Sequence, residues 1–105
     1  MLFRSVKAYW ARGGKGCLGL HLEGPWINPT KKGAHVASFI HSPTLTEVEE
    51  LLQFANGVVK MITLAPEMCS RTVIERLLQY KIQLSAGHSD ASFTEAMEGF
   101  STGIR

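Results

Sequence analysis

Hydrophobic and polar positions along this chain change period several times, and the changes divide it into short segments. Residues 17–22 (CLGLHL), 58–64 (VVKMITL) and 82–86 (IQLSA) are brief apolar runs that predict strands. Residues 45–55, 71–80 and 93–100 carry the longer helical period. In the first of these, Leu45, Val48, Leu51, Leu52 and Ala55 recur on one face, while Glu47, Glu49 and Glu50 lie largely elsewhere. Val73, Ile74, Leu77 and Leu78 repeat the pattern in the second. An amphipathic stretch at 2–11 predicts an earlier helix. The helix starts have chemical support. Thr44 with Glu47, and Ser92 with Glu95, have capping-box spacing, and Ser70 is a suitable N-cap.

Strands alternating with helices predict an α/β fold of right-handed βαβ units around a parallel sheet. Such a sheet needs cover on both faces, which three strands with their helices do not easily supply. A doubly wound sheet and an eight-stranded barrel both complete it, and periodicity does not choose between them. The 105 residues allow one small domain at most. A hydrophobic content of 45% is enough for a packed core.

Net charge is +2 with scattered basic residues, which argues against a nucleic-acid partner. The one adjacent pair, Lys31-Lys32, reads as a solvated loop. Cys17 and Cys69 form no CxxC pair and read as reduced packing residues of a cytoplasmic protein. The first residues do not resemble a signal peptide, and no apolar run is long enough to cross a membrane.

In parallel α/β folds, functional groups gather where strands end. Those positions read Glu23-Gly24-Pro25, Ala65-Pro66-Glu67 and Gly87-His88-Ser89-Asp90. In the first strand Gly19, His21 and Glu23 share one face, and Leu18, Leu20 and Leu22 share the other. A lone strand histidine such as His21 is more often a buried, hydrogen-bonded residue than a ligand. Glu23 is fixed by the stiff Gly-Pro turn that follows it. Gly87 gives the backbone room beside His88, and Asp90 is placed either to orient that imidazole or to shape the turn. A Glu and a His from different strands suit zinc or iron, though two ligands alone make a weak site. The loop 27–35, ending Gly33-Ala34-His35, reads on spacing alone as an exposed connection, and Glu67 is left without a role.

The segment GLHLEGPWINPTKKGAH (19–35) resembles the signature of the N-acetylglucosamine-6-phosphate deacetylases of the amidohydrolase superfamily. TLAPE (63–67) and SAGHSDAS (85–92) resemble the family's next two strand ends, in order, and the likeness runs over about residues 14–105. The resemblance implies that residues 1–105 form a single partial domain. That domain would be about three βα units of a (β/α)8 barrel, which typically needs about 250 residues. It implies that Glu23 and His88 are metal ligands for zinc or iron, with one or two ions in the parent enzyme. It implies that Ala34, through its main chain, and His35, through its imidazole, meet an amino-sugar phosphate. The implied reaction is hydrolysis of N-acetylglucosamine 6-phosphate to glucosamine 6-phosphate and acetate. A further histidine ligand, in a THLFNAM-like segment, and the general base are expected beyond Arg105. An N-terminal HxH-like metal motif is not found here. The chain is therefore expected to be inactive by itself. Its unpaired strand edges, and an inner face made strongly apolar by the strand bearing Val58, Val59, Ile62 and Leu64, are expected to drive a homo-oligomer, and no membrane contact is expected. The competing reading is a non-catalytic degraded or assembly module that keeps the family's fold segments.

Overall fold

The computed structural model describes residues 2–105. The elements follow as α1 (Leu2–Ala11), β1 (Leu20–Glu23), α2 (Leu45–Ala55), β2 (Val59–Leu64), α3 (Arg71–Gln79), β3 (Gln83–Ala86) and α4 (Phe93–Thr102). The three strands form one parallel sheet in the order β1-β2-β3. Glu23 pairs with Thr63, and Thr63 pairs with Ser85, so these side chains share one row across the sheet.

Helices start where their caps allow. The Thr44–Glu47 and Ser92–Glu95 boxes are both closed reciprocally, and the Ser70 hydroxyl accepts the Val73 N–H. α4 ends at Gly103, whose φ of 119° suits a residue without a Cβ. The first strand begins later than its apolar run suggests. Gly19 has φ 139°, and the ladder shifts register between Leu20 and His21, so Cys17 and Leu18 stay outside the sheet. Leu18 is consequently 87% exposed.

The core lies on one side of the sheet. Ile62, Leu64 and Leu84 pack there with Val48, Leu52 and Ala55 of α2 and Val73, Ile74 and Leu77 of α3. The opposite side carries His21, Glu23, Met61, Thr63, Gln83 and Ser85, all exposed or half-buried. The expectation of a strongly apolar bare face built from β2 is therefore corrected, because Val58, Val59, Ile62 and Leu64 are all buried. The edges also differ. Arg105 donates its N–H to the Leu84 carbonyl (2.9 Å) and accepts from the Ala86 N–H (2.7 Å), while among the described residues β1 has no outer neighbour in the sheet. Among the described residues no helix is long and apolar enough to cross a membrane.

Candidate metal centre

The three segments that follow the strands meet on the bare side of the sheet. Glu23 is the last residue of β1, and the next peptide bond but one, Gly24-Pro25, is cis. The Gly24 N–H donates to the Thr63 carbonyl (3.1 Å), which ties this turn to β2. His88 follows β3 in a left-handed conformation, φ 49°, which is uncommon for a residue with a side chain. Asn28 accepts the Thr30 N–H (3.0 Å) and so caps the 3-10 turn Pro29–Lys31. That turn leads through Gly33 and the exposed Ala34 to His35.

Glu23 Oε1 lies 2.5 Å from His88 Nε2, and Glu23 Oε2 lies 3.9 Å from His35 Nε2. The two imidazoles meet edge to face, with centroids 5.3 Å apart. One donor atom from each of Glu23, His35 and His88 can be chosen so that all three lie within 4.8 Å of one another. One carboxylate oxygen and two imidazole nitrogens suit a borderline divalent cation such as zinc or ferrous iron.

His88 Nδ1 lies 2.8 Å from the Lys31 carbonyl. A carbonyl can only accept, so Nδ1 carries the proton and Nε2 is turned toward Glu23. The His88 pKa is raised, first by this backbone hydrogen bond and then by Glu23. In the imidazolium a second proton, on Nε2, faces Glu23 where a cation would bind, and the two compete. The side chains of His35 and His88 are 31% and 28% exposed and that of Glu23 is 53% exposed, so water reaches the site freely.

Several side chains differ from their sequence expectations. His21 makes a hydrogen bond to the Thr63 hydroxyl (2.7 Å), as a structural histidine should, but it is exposed rather than buried. Asp90 does not orient His88. Its carboxylate faces Lys31 Nζ at 3.4 Å, and the backbone carbonyl of Lys31 takes the orienting role instead. The loop 27–35 is no mere connection, since it supplies both that carbonyl and His35. The Asn-Pro start of the turn was its sequence signal, because Asn side chains accept from the backbone two residues on.

Glu67 accepts three hydrogen bonds from neighbouring segments. Burial alone would raise its pKa, but bonds from Ser89, the Asp90 N–H and Asn28 outweigh this and hold it below the ordinary glutamate value. Burial, then the charge of Glu67, push the Cys69 thiol up to about 12, so it stays protonated and a poor ligand.

Parallel strands that bring a carboxylate and two imidazoles together at one end define an α/β protein with a potential metal centre. Comparison with known proteins shows what the chain is similar to. Over 93 residues the chain is 39% identical to the N-acetylglucosamine-6-phosphate deacetylases of Danio rerio and Homo sapiens, matching 86% of this chain and 23% of each relative. It is 32% identical over 95 residues to an N-acetylgalactosamine-6-phosphate deacetylase of Escherichia coli O157:H7. The solved N-acetylglucosamine-6-phosphate deacetylase of Thermotoga maritima superposes with a TM-score of 0.84 at 38% identity, over 97% of this chain and 27% of that one. The Pasteurella multocida enzyme gives 0.86 at 28% identity. No protein-family model matches the chain. The chain is thus related to the N-acetylglucosamine-6-phosphate deacetylases along most of its length, and it spans about a quarter of theirs.

Proposed function

We propose that the chain forms part of a metal-dependent deacetylase that hydrolyses N-acetylglucosamine 6-phosphate to glucosamine 6-phosphate and acetate. Residues 1–105 are read as one partial domain, an arc of a (β/α)8 barrel. Two observations support the arc: the helices cover one face of the sheet, and the polar face is left bare. The observation that carries the functional reading is the meeting of Glu23, His35 and His88 from three separate segments, with donor atoms within 4.8 Å.

Glu23 and His88 would hold a divalent ion, zinc or iron. An ion in such a setting lowers the pKa of bound water and polarises an amide carbonyl. The remaining roles belong to side chains and backbone. The Lys31 carbonyl keeps the His88 proton on Nδ1, leaving Nε2 free to donate its lone pair. The Ala34 main chain and the His35 imidazole are assigned to the amino-sugar phosphate. His35 stands close enough to Glu23 to hydrogen-bond a substrate oxygen beside the ion. No general base is assigned within this chain; we place it in another part of the parent enzyme. The two free cysteines fit a reducing, cytoplasmic setting. Self-association through the unpaired edge of β1 is part of the same reading.

Calorimetric titration with zinc tests the centre. Binding is expected to be weak, because two assigned ligands leave the other positions to water, and to disappear in Glu23→Ala and in His88→Ala. His35→Ala is expected to retain it in reduced form. Binding that survives loss of both Glu23 and His88 would refute the assignment.

A further inference from the structure

One carboxylate outside the donor cluster joins two of the segments that build it, the loop that leads to His35 and the turn that carries His88. Glu67 stands in the 3-10 turn Pro66–Met68, directly after β2. Its Oε1 accepts from Asn28 Nδ2 (3.1 Å), after β1, and from the Asp90 N–H (2.7 Å), after β3. Its Oε2 accepts from the Ser89 hydroxyl (2.6 Å). Glu67 is not among the residues whose donor atoms converge on Glu23.

These bonds reach His88 from two directions. Ser89 and Asp90 immediately follow it, so fixing them fixes the backbone that carries the ring. Asn28 acts through the turn it caps. The Asn28 N–H donates to the His88 carbonyl (2.9 Å), and the Asn28 carbonyl accepts the Lys31 N–H (3.0 Å). Lys31 then presents its own carbonyl to His88 Nδ1. A left-handed histidine persists only where its surroundings over-determine it, and these contacts supply that constraint.

We infer that Glu67 is a positioning residue for the metal centre. By joining the Asn28 turn to the Ser89–Asp90 backbone, it fixes the tautomer and direction of the His88 ring. The inference rests on the metal reading above and adds the residue that sets its geometry. An ionised carboxylate accepts all three bonds at once. A glutamine has one acceptor oxygen; with it on the Asn28 and Asp90 donors, its amide nitrogen faces the Ser89 hydroxyl, which must then accept instead of donate.

The test uses the whole 105-residue chain with Glu67→Gln, and with Asn28→Ala as a gentler variant should the first fail to fold. Nitrogen-detected NMR of the His88 ring reads the tautomer without metal, in a Glu23→Ala background that removes the carboxylate facing Nε2 and at a pH alkaline enough to leave the ring neutral. Zinc calorimetry reads affinity. With Glu67 intact the ring is expected to hold one tautomer with the proton on Nδ1. In Glu67→Gln it should populate both, and zinc affinity should fall about 10- to 100-fold, the usual effect of losing a group behind a ligand. Asn28→Ala should shift both readouts in the same direction, by less. A variant that melts earlier but keeps the single tautomer and the affinity would overturn the inference, since its role would then be structural only. If the unaltered chain binds no zinc while Glu67→Gln still scrambles the tautomer, the metal reading fails and the positioning role stands.

Discussion

Gly87 lies against Thr63, and a Cβ built there would come within 2.6 Å of Thr63 Cγ2. Thr63 cannot easily turn away, because its side chain is β-branched and its hydroxyl is bonded to His21. Gly87→Ala is therefore expected to push β3 off β2 just before His88. The expected cost is about 1–3 kcal/mol, the range for overpacking a closed site, read as a lower denaturant midpoint. A full-strength midpoint would show that the mouth is looser than its contacts imply. At this scale the sequence was only partly legible. Glu23 and His88 stood out as chemistry at strand ends. The part played by Lys31 did not, because its contribution is a main-chain carbonyl, which no side-chain pattern reveals. Glu67 went unassigned because its three partners lie 39, 22 and 23 positions away along the chain.

The elements owe their boundaries to caps and their stability to one-sided burial. Leu77 is fully buried between α3 and the sheet, and Leu77→Ala is expected to cost about 2–5 kcal/mol in chemical denaturation. The start of α2 responds to pH. His41 Nε2 meets Glu47 Oε1 at 2.5 Å, while Glu47 Oε2 accepts the Thr44 N–H of the capping box. The His41 pKa is raised, first by the Glu47 hydrogen bond and then by the Phe39 carbonyl. Burial alone would raise the Glu47 pKa, yet the bonds from His41 and Thr44 bring it below the ordinary value. The histidine's contribution is complete below the unfolded histidine pKa and fades as pH rises through the raised one. The glutamate's is complete above the unfolded glutamate pKa and fades as pH falls through the lowered one. The pair thus stabilises most between about 4.3 and 6.5. Both side chains are well exposed, so less than about 1 kcal/mol is expected after solvent screening. Comparing the pH dependence of melting with that of His41→Asn measures it, and identical profiles would remove the pair from consideration. Helix positions and caps were legible here because they depend on residues three or four apart. The late start of β1 was not, because it depends on where the chain meets β2.

For the whole molecule, the alternation of strands and helices led directly to the parallel sheet, while the choice of covered face needed coordinates. The chain spans about a quarter of its relatives, and its candidate centre is open to water. It is expected to show no turnover of N-acetylglucosamine 6-phosphate above a Glu23→Ala control, even after metal loading. Turnover that depends on Glu23 would mean that the chain carries its own base. The unequal sheet edges have a further consequence. The backbone of Arg105 already occupies Leu84 and Ala86 on one side, whereas β1 offers its outer backbone groups to any extended strand. A sheet with a single receptive side cannot propagate. Two copies joining β1 to β1 about a twofold axis use up what each has to offer, and the assembly closes. Sedimentation should accordingly show one step from monomer to dimer as concentration rises. A ladder of larger species would mean that the β3 side had opened, and that this arrangement of strands is a route to fibres rather than a barrier against them.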